Sequence, residues 1–182
     1  MISLAPFKHW QKILLLYFAT TLGACSATDV RQYADNTPAF APQEFFNGHL
    51  TAHGVLKNRR GEVTRYFTAT IDASWNNNVG TLAERFVFND GEVQFRTWTL
   101  TPTGPNTYQA TAGDVIGAGK AQISGNAMQV DYVLEIDYRD KKINLDVEDW
   151  MWRVDENTVI NHSILRKWGF RVGSIQIAIV KH

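Results

Sequence analysis

Residues 142–168, KINLDVEDWMWRVDENTVINHSILRKW, decide how the rest of the chain is read. The segment reads as a β-hairpin turning at Asp155-Glu156-Asn157. Its first strand begins with apolar residues at odd positions (Ile143, Leu145, Val147) and ends with them at even ones (Trp150, Trp152, Val154). Strand side chains alternate between faces, so a change of parity along one buried face calls for an extra residue. The pattern therefore predicts a β-bulge near Glu148-Asp149, which would re-aim an acid among tryptophans.

The same alternation extends outward from this hairpin. Turn-forming residues break the chain at Asn58–Gly61, Asn76–Gly80, Asp90-Gly91, Pro102–Asn106, Gly117, Gly125-Asn126, Arg139–Lys142 and Gly169–Gly173. Asp90-Gly91 and Gly125-Asn126 suit two-residue hairpin turns, which need residues tolerant of positive φ. About ten strands result, at the short regular spacing of an all-β sandwich or barrel. Opposed residues share a face, so each turn can be tested for register. Leu56 then faces Val63, Phe86 faces Phe95, Ile123 faces Met128, and Ile136 faces Leu145. All four turns bring apolar side chains together. A meander with one apolar face closes most simply into a single up-and-down antiparallel barrel of about ten strands, lipocalin- or calycin-like, which also removes its edges. A two-sheet sandwich is the alternative. The outer faces are rich in charged residues and Thr, which excludes a membrane porin.

That register sends charge inward. Arg65 falls between Val63 and Phe67, opposite Gly54; Glu84 falls between Leu82 and Phe86. Asp114 continues the row of Tyr108 and Ala110, and Asp149 opposes Tyr132 if the bulge follows it. An isolated buried charge is costly unless paired or hydrated. These residues therefore form either an internal ion-pair network or a cavity with polar anchors and aromatic walls, to which Trp150 would contribute. Trp98 is predicted outward. Arg85 and Arg96 come out as outward neighbours, a repulsive pair that needs an acid nearby or a slipped register.

The N-terminus reads as a targeting segment. Lys8 and Lys12 precede the apolar run Ile13–Phe18, and Leu22-Gly23-Ala24-Cys25 looks like a lipobox. Residues 1–24 are thus expected to be a lipoprotein signal peptide, with Cys25 lipidated and attached to a membrane. Residues 25–44 read as a polar tether and 45–182 as the barrel domain. Ser26 in place of Asp favours the outer membrane, so the expected location is the bacterial cell envelope, facing the periplasm.

Balanced charge, 18 Lys plus Arg against 18 Asp plus Glu, offers no basic footprint for nucleic acid. His49 and His53 would lie about 13 Å apart on a strand, too far to share an ion. No metal and no cofactor are expected. Ser163 beside His162 is no triad, since adjacent strand residues point to opposite faces, and no residue is assigned a catalytic role.

Several short motifs are shared with a known family: Glu44-Phe45-Phe46-Asn47-Gly48, Gly113-Asp114-Val115 with Gly117, Gly125-Asn126-Ala127, Asp149-Trp150-Met151, and Asn161 with Lys167 and Gly169. Together they resemble the DUF3833 family of bacterial lipoproteins of uncharacterised function, over nearly all of residues 40–181. The resemblance implies a lipid-anchored protein with a lipocalin-like fold, and it adds Asn161 and Lys167 to the candidate site. It also implies genes near lipid-modifying enzymes. The family's tryptophan motif usually begins Asp-Asp, and its asparagine is followed by arginine; this chain has Glu148 and His162 there. The G-x-W opening of true lipocalins is missing near Gly48, so that kinship is one of architecture.

The expected function is binding of a small amphiphile, such as a fatty acid or lipid fragment. Its acidic head would meet Arg65 or Lys167. Two alternatives stand beside it: an enzyme using Glu84, Asp114 or Asp149 as acid or base, and a ligand-free envelope module that binds a protein partner.

Overall fold

The computed structural model describes residues 28–182. Cys25 and the expected signal peptide lie outside the described residues. Strand β2, Val63–Asn76, shows the alternation most plainly: Phe67, Ala69, Ile71 and Ala73 are buried while the residues between them are exposed. The same period-two pattern builds β1 (Gly48–Asn58), β3 (Val79–Phe88), β4 (Val93–Gly104), β5 (Thr107–Thr111) and β6 (Val115–Ser124). It continues through β7 (Ala127–Tyr138), β8 (Lys141–Arg153), β9 (Thr158–Lys167) and β10 (Phe170–Lys181). Each strand pairs antiparallel with its chain neighbours, and β1 pairs with β10, giving the closed up-and-down barrel expected from the sequence.

The turns set which residues oppose one another, and three of them differ from expectation. At Phe88–Glu92, Gly91 (φ +87°) donates to the Phe88 carbonyl and the Phe88 N–H donates to Glu92. This loop is one residue longer than the two-residue turn expected at Asp90-Gly91. Phe86 therefore opposes Gln94, Glu84 opposes Arg96, and Leu82 opposes Trp98. Arg96 and Trp98 turn into the barrel, Phe95 turns out, and the repulsive Arg85–Arg96 pair does not exist. Asn58–Glu62 makes the same turn, with a bulge at Leu56/Lys57. Arg65 consequently opposes Leu56, and Phe67 takes the space over Gly54. Arg139-Asp140 is a tight turn with both φ positive, so Ile136 meets Ile143 rather than Leu145, with parity unchanged. Ile123 opposes Met128 as expected.

The expected bulge in β8 is absent. Pairing runs unbroken on both sides, Asp131–Glu148 and Val130–Asp149 towards β7, and Glu148–Ile164 and Asp149–Ser163 towards β9. Tyr132 therefore opposes Val147, not Asp149. The change of apolar parity has another cause. Leu145 and Val147 face the interior, whereas Trp150 and Trp152 face out and are covered by a 3₁₀ turn, Val30–Tyr33. The two indoles stack at 5.8 Å, and the Tyr33 ring meets them edge-on at 5.9 and 6.1 Å.

Residues expected to form a free tether up to position 44 are thus docked from Val30 onward, because they supply the apolar cover that β8 lacks. Phe40 and the short helix α1 (Pro42–Phe45) then close one end of the barrel, where Phe40, Phe45 and Phe46 pack together with ring centroids 5.2–6.1 Å apart. The opposite end, ringed by the β1–β2, β3–β4, β5–β6, β7–β8 and β9–β10 connections, has no such plug among the described residues.

Candidate functional site

A cavity of about 710 Å³ runs from the plug to the open end. Its two sides differ. Below Arg65 at the mouth, inward residues of β1, β2 and β10, among them Leu56, Phe67, Ile71, Ile175 and Ile177, make one wall apolar. The facing wall carries Glu84 and Arg96 from β3 and β4, Tyr132 from β7, Asp149 from β8, and Asn161 and Ser163 from β9.

The polar wall is wired in two groups. Arg96 clasps Asp114 through two nitrogens, at 2.6 and 3.0 Å, and its guanidinium lies 5.9 Å from both the Phe86 and Trp98 rings. Burial is the largest influence and works against its charge, but the hydrogen bonds and charge of Asp114, with Tyr132 and Glu84, together outweigh it and hold the guanidinium more firmly protonated than usual. Asp149 accepts from Ser163 Oγ at 2.7 Å and from Asn161 Nδ2 at 2.5 Å. Desolvation raises its pKa even so. Between the groups stands Glu84, with no hydrogen-bond partner among the described residues to stabilise a charge. Burial pushes its pKa up to about 7, against the attraction of Arg96 and with added repulsion from Asp149 and Asp114. Tyr132 is held neutral, its pKa raised by burial and then by Asp149.

Arg65 occupies the mouth. Its guanidinium lies over the Phe88 ring at 3.8 Å, and one terminal nitrogen donates to Asp90 and to Glu92, each at 2.8 Å. Its Nε is enclosed and lacks a hydrogen-bond partner among the described residues.

Six of the residues anticipated from sequence therefore converge on one cavity: Arg65, Glu84, Asp114, Tyr132, Asp149 and Asn161. Two do not. Trp150 lies outside the barrel wall under Tyr33, for the reason given above. Lys167 stands at the exposed end of β9, where its ammonium donates to the Asn144 carbonyl at 2.7 Å and sits 5.5 Å from the Trp168 ring. Arg96, Trp98 and Ser163 belong to the cavity and were not anticipated. For Arg96 the signal was present, in the repulsive pairing that the wrong register produced. His49 and His53 are both exposed, and His49 bonds Asp72 at 2.9 Å. Among the described residues no cluster of three or more His, Cys, Asp or Glu side chains is placed to hold a metal.

Sequence comparison matches residues 19–181 to the protein family of unknown function DUF3833. The chain belongs to that family. No curated protein matches the sequence. Among solved structures, this DUF3833 barrel is similar to the S-type phycobiliprotein lyase CPES of Guillardia theta. That likeness has 12% identity and a TM-score of 0.55, over 86% of this chain and 98% of that one. It is similar also to a protein of unknown function from the DUF3598 family of Nostoc punctiforme. There the identity is 14% and the TM-score 0.58, over 86% of this chain and 53% of the other. At these identities the likeness concerns the fold.

Proposed function

We propose that this DUF3833 protein binds a small amphiphilic molecule, a fatty acid or lipid fragment, inside the barrel. The two-sided cavity carries the reading. Its volume falls within the roughly 300–1,000 Å³ of small-molecule pockets. An apolar chain fits against β1, β2 and β10, while an acidic head at the mouth finds Arg65, whose enclosed Nε–H lacks an acceptor. A buried donor without a partner is costly, and a ligand oxygen would relieve it. Attachment through lipid on Cys25, at the periplasmic face of the outer membrane, belongs to the same proposal.

Native mass spectrometry of the protein purified from its own envelope, after delipidation of the anchor, is expected to show a co-purified ligand. Arg65→Ala is expected to weaken binding of a fluorescent fatty acid about 10-fold or more, the worth of one charge-assisted hydrogen bond. An empty barrel together with unchanged probe binding sinks the proposal. Loss of the membrane-bound form in Cys25→Ser checks the anchor separately.

One observation favours a second reading, an enzyme acting on lipid or glycan. Glu84 titrates near neutrality beside a second carboxylate, Asp149, in the same cavity, as acid–base catalysis requires. That a lyase is among the proteins sharing this fold is in keeping with either use. Release of a product from a lipid extract by the native protein, but not by Glu84→Gln, would favour catalysis.

A further inference from the structure

The open end differs from the rest of the surface. Of the eleven large apolar side chains exposed among the described residues, nine stand on strand ends or turns around the mouth, and only Val154 and Ile160 lie elsewhere. Three rings are more than 70% exposed: Trp168 at 84%, Phe170 at 76% and Phe95 at 75%. Single exposed apolar residues are ordinary, but a collar of them at one end marks an interaction surface.

Charge divides that collar into two arcs. Because β10 pairs with β1 and β9, and β8 with β7 and β9, the β7–β8, β9–β10 and β1–β2 turns are consecutive around the rim. Their sequences are Arg139-Asp140-Lys141-Lys142, Arg166-Lys167-Trp168-Gly169-Phe170-Arg171 and Lys57-Asn58-Arg59-Arg60-Gly61-Glu62, nine cations against Asp140 and Glu62. Arg59, Arg60, Arg139 and Lys141 make no ion pair with a described residue. The other arc offers no unpaired cation among the described residues: Asp90 and Glu92 are paired with Arg65, and Asp114 with Arg96. Trp168 sits at the centre of the basic arc, at the tip of its hairpin, with φ of +52°. A bulky residue is uncommon in that region, and Gly or Asn would satisfy such a turn better. The tryptophan therefore serves something other than the turn.

We infer that the basic arc of the rim docks the mouth of the barrel onto an anionic phospholipid surface. Trp168 and Phe170 enter the headgroup boundary, and the flanking arginines and lysines meet lipid phosphates. Amphipathic rings favour that boundary, and long basic side chains keep their charge in it while their stems lie on apolar surface. Juxtaposed basic groups are attracted to anionic lipid within a Debye length. The other arc, whose charges are already paired, leaves the contact to the three basic turns. This inference stands whether or not the cavity holds an amphiphile.

The test uses the full chain, with Trp10→Phe in every protein tested, on vesicles of equimolar phosphatidylglycerol and brominated phosphatidylcholine, where attachment through the N-terminal segment is common to all. Bromine on the acyl chains quenches nearby indoles. Native protein is expected to be quenched and Trp168→Phe to lose that quenching, since Trp75, Trp98, Trp150 and Trp152 are enclosed by the barrel and its outer cover. The double variant Arg59→Gln/Arg60→Gln is expected to weaken the Trp168 quenching titration about 10–30-fold, at the usual attraction per basic residue. Replacing phosphatidylglycerol by unbrominated phosphatidylcholine should act in the same direction. Equal quenching in native protein and Trp168→Phe, or equal quenching on neutral vesicles, overturns the inference. So does a vesicle-independent, concentration-dependent shift of Trp168 emission, which would make a second copy the occupant. Fatty-acid binding that survives in Trp168→Phe separates this result from the fate of the ligand proposal.

Discussion

Glu84 lies opposite Arg96, but Arg96 spends its hydrogen bonds on Asp114, so the glutamate keeps attraction without a bond. Its proton is held until about pH 7, whereas in the unfolded chain it leaves near 4.5. The folded state thus binds this proton more tightly. The stability it contributes is complete below the unfolded pKa, declines as pH rises between the two values, and is lost above the folded one. Glu84→Gln stays neutral throughout. Relative to native protein, the variant should gain about 1–3 kcal/mol on going from about pH 4 to about pH 8, given ~1.4 kcal/mol per pKa unit. Urea unfolding at both pH values measures the difference, and a flat or reversed trend refutes the burial of Glu84. Much of this site was readable in the sequence. Alternation alone turned Arg65, Glu84 and Asp149 inward. Arg96 was not readable that way, because one added residue at Gly91 inverts the facing of all of β4, and the backbone conformation of a turn is decided by more than its Asp-Gly dipeptide.

At the scale of the element, β8 explains why a parity rule fails even where strand and turn are placed correctly. The rule assumes that a strand has one buried face. Here Leu145 and Val147 are buried inward, Trp150 is buried outward, and the intervening pairs never shift register. The outer cover comes from Val30 and Tyr33, more than a hundred positions away and in a stretch whose composition resembles a linker. Glu148 ties the outer face together, accepting from Trp150 Nε1 at 2.8 Å and from Arg166 at 2.6 Å. Trp150→Ala should therefore cost about 3–5 kcal/mol, the usual loss for a buried aromatic. It should leave the cavity intact. Calorimetry measures the first effect. The second is read from a fluorescent fatty-acid probe, whose binding should stay within about twofold of native. A bulged β8 with Trp150 in the cavity wall would instead lose probe binding along with stability.

For the molecule as a whole, the two barrel ends are held by different means, and this makes the protein directional. The open end has turns, exposed rings and the Arg65 cluster. The closed end gathers its most numerous side-chain hydrogen bonds on one buried residue. Arg153, at the last position of β8, donates to the Ala39, Asp155 and Glu156 carbonyls at 3.0–3.3 Å and to Glu44 at 2.7 Å. It thereby bolts α1, with Phe45 and the flanking Phe40 and Phe46, to the barrel wall. In Arg153→Met the apolar bulk remains, but those carbonyls lose a charged donor, and about 2–4 kcal/mol of stability should go with it. The loss should also be local. Most of the barrel is held by ten-strand pairing that Arg153 does not touch, whereas residues 39–46 are otherwise tied to the wall by isolated bonds, from Phe40 N–H to Gly125, from Trp75 Nε1–H to Phe46 and from Lys181 to Glu44. Hydrogen exchange in the variant should therefore accelerate first at the Phe45 and Phe46 amides, which bond Ala41 and Pro42, and leave mid-strand amides of β2 and β7 near their native protection. Uniform acceleration would mean that plug and barrel unfold as one unit. Selective acceleration would mean that the floor of the cavity can open while its walls stand, and that the depth available to a bound chain is set by this arginine.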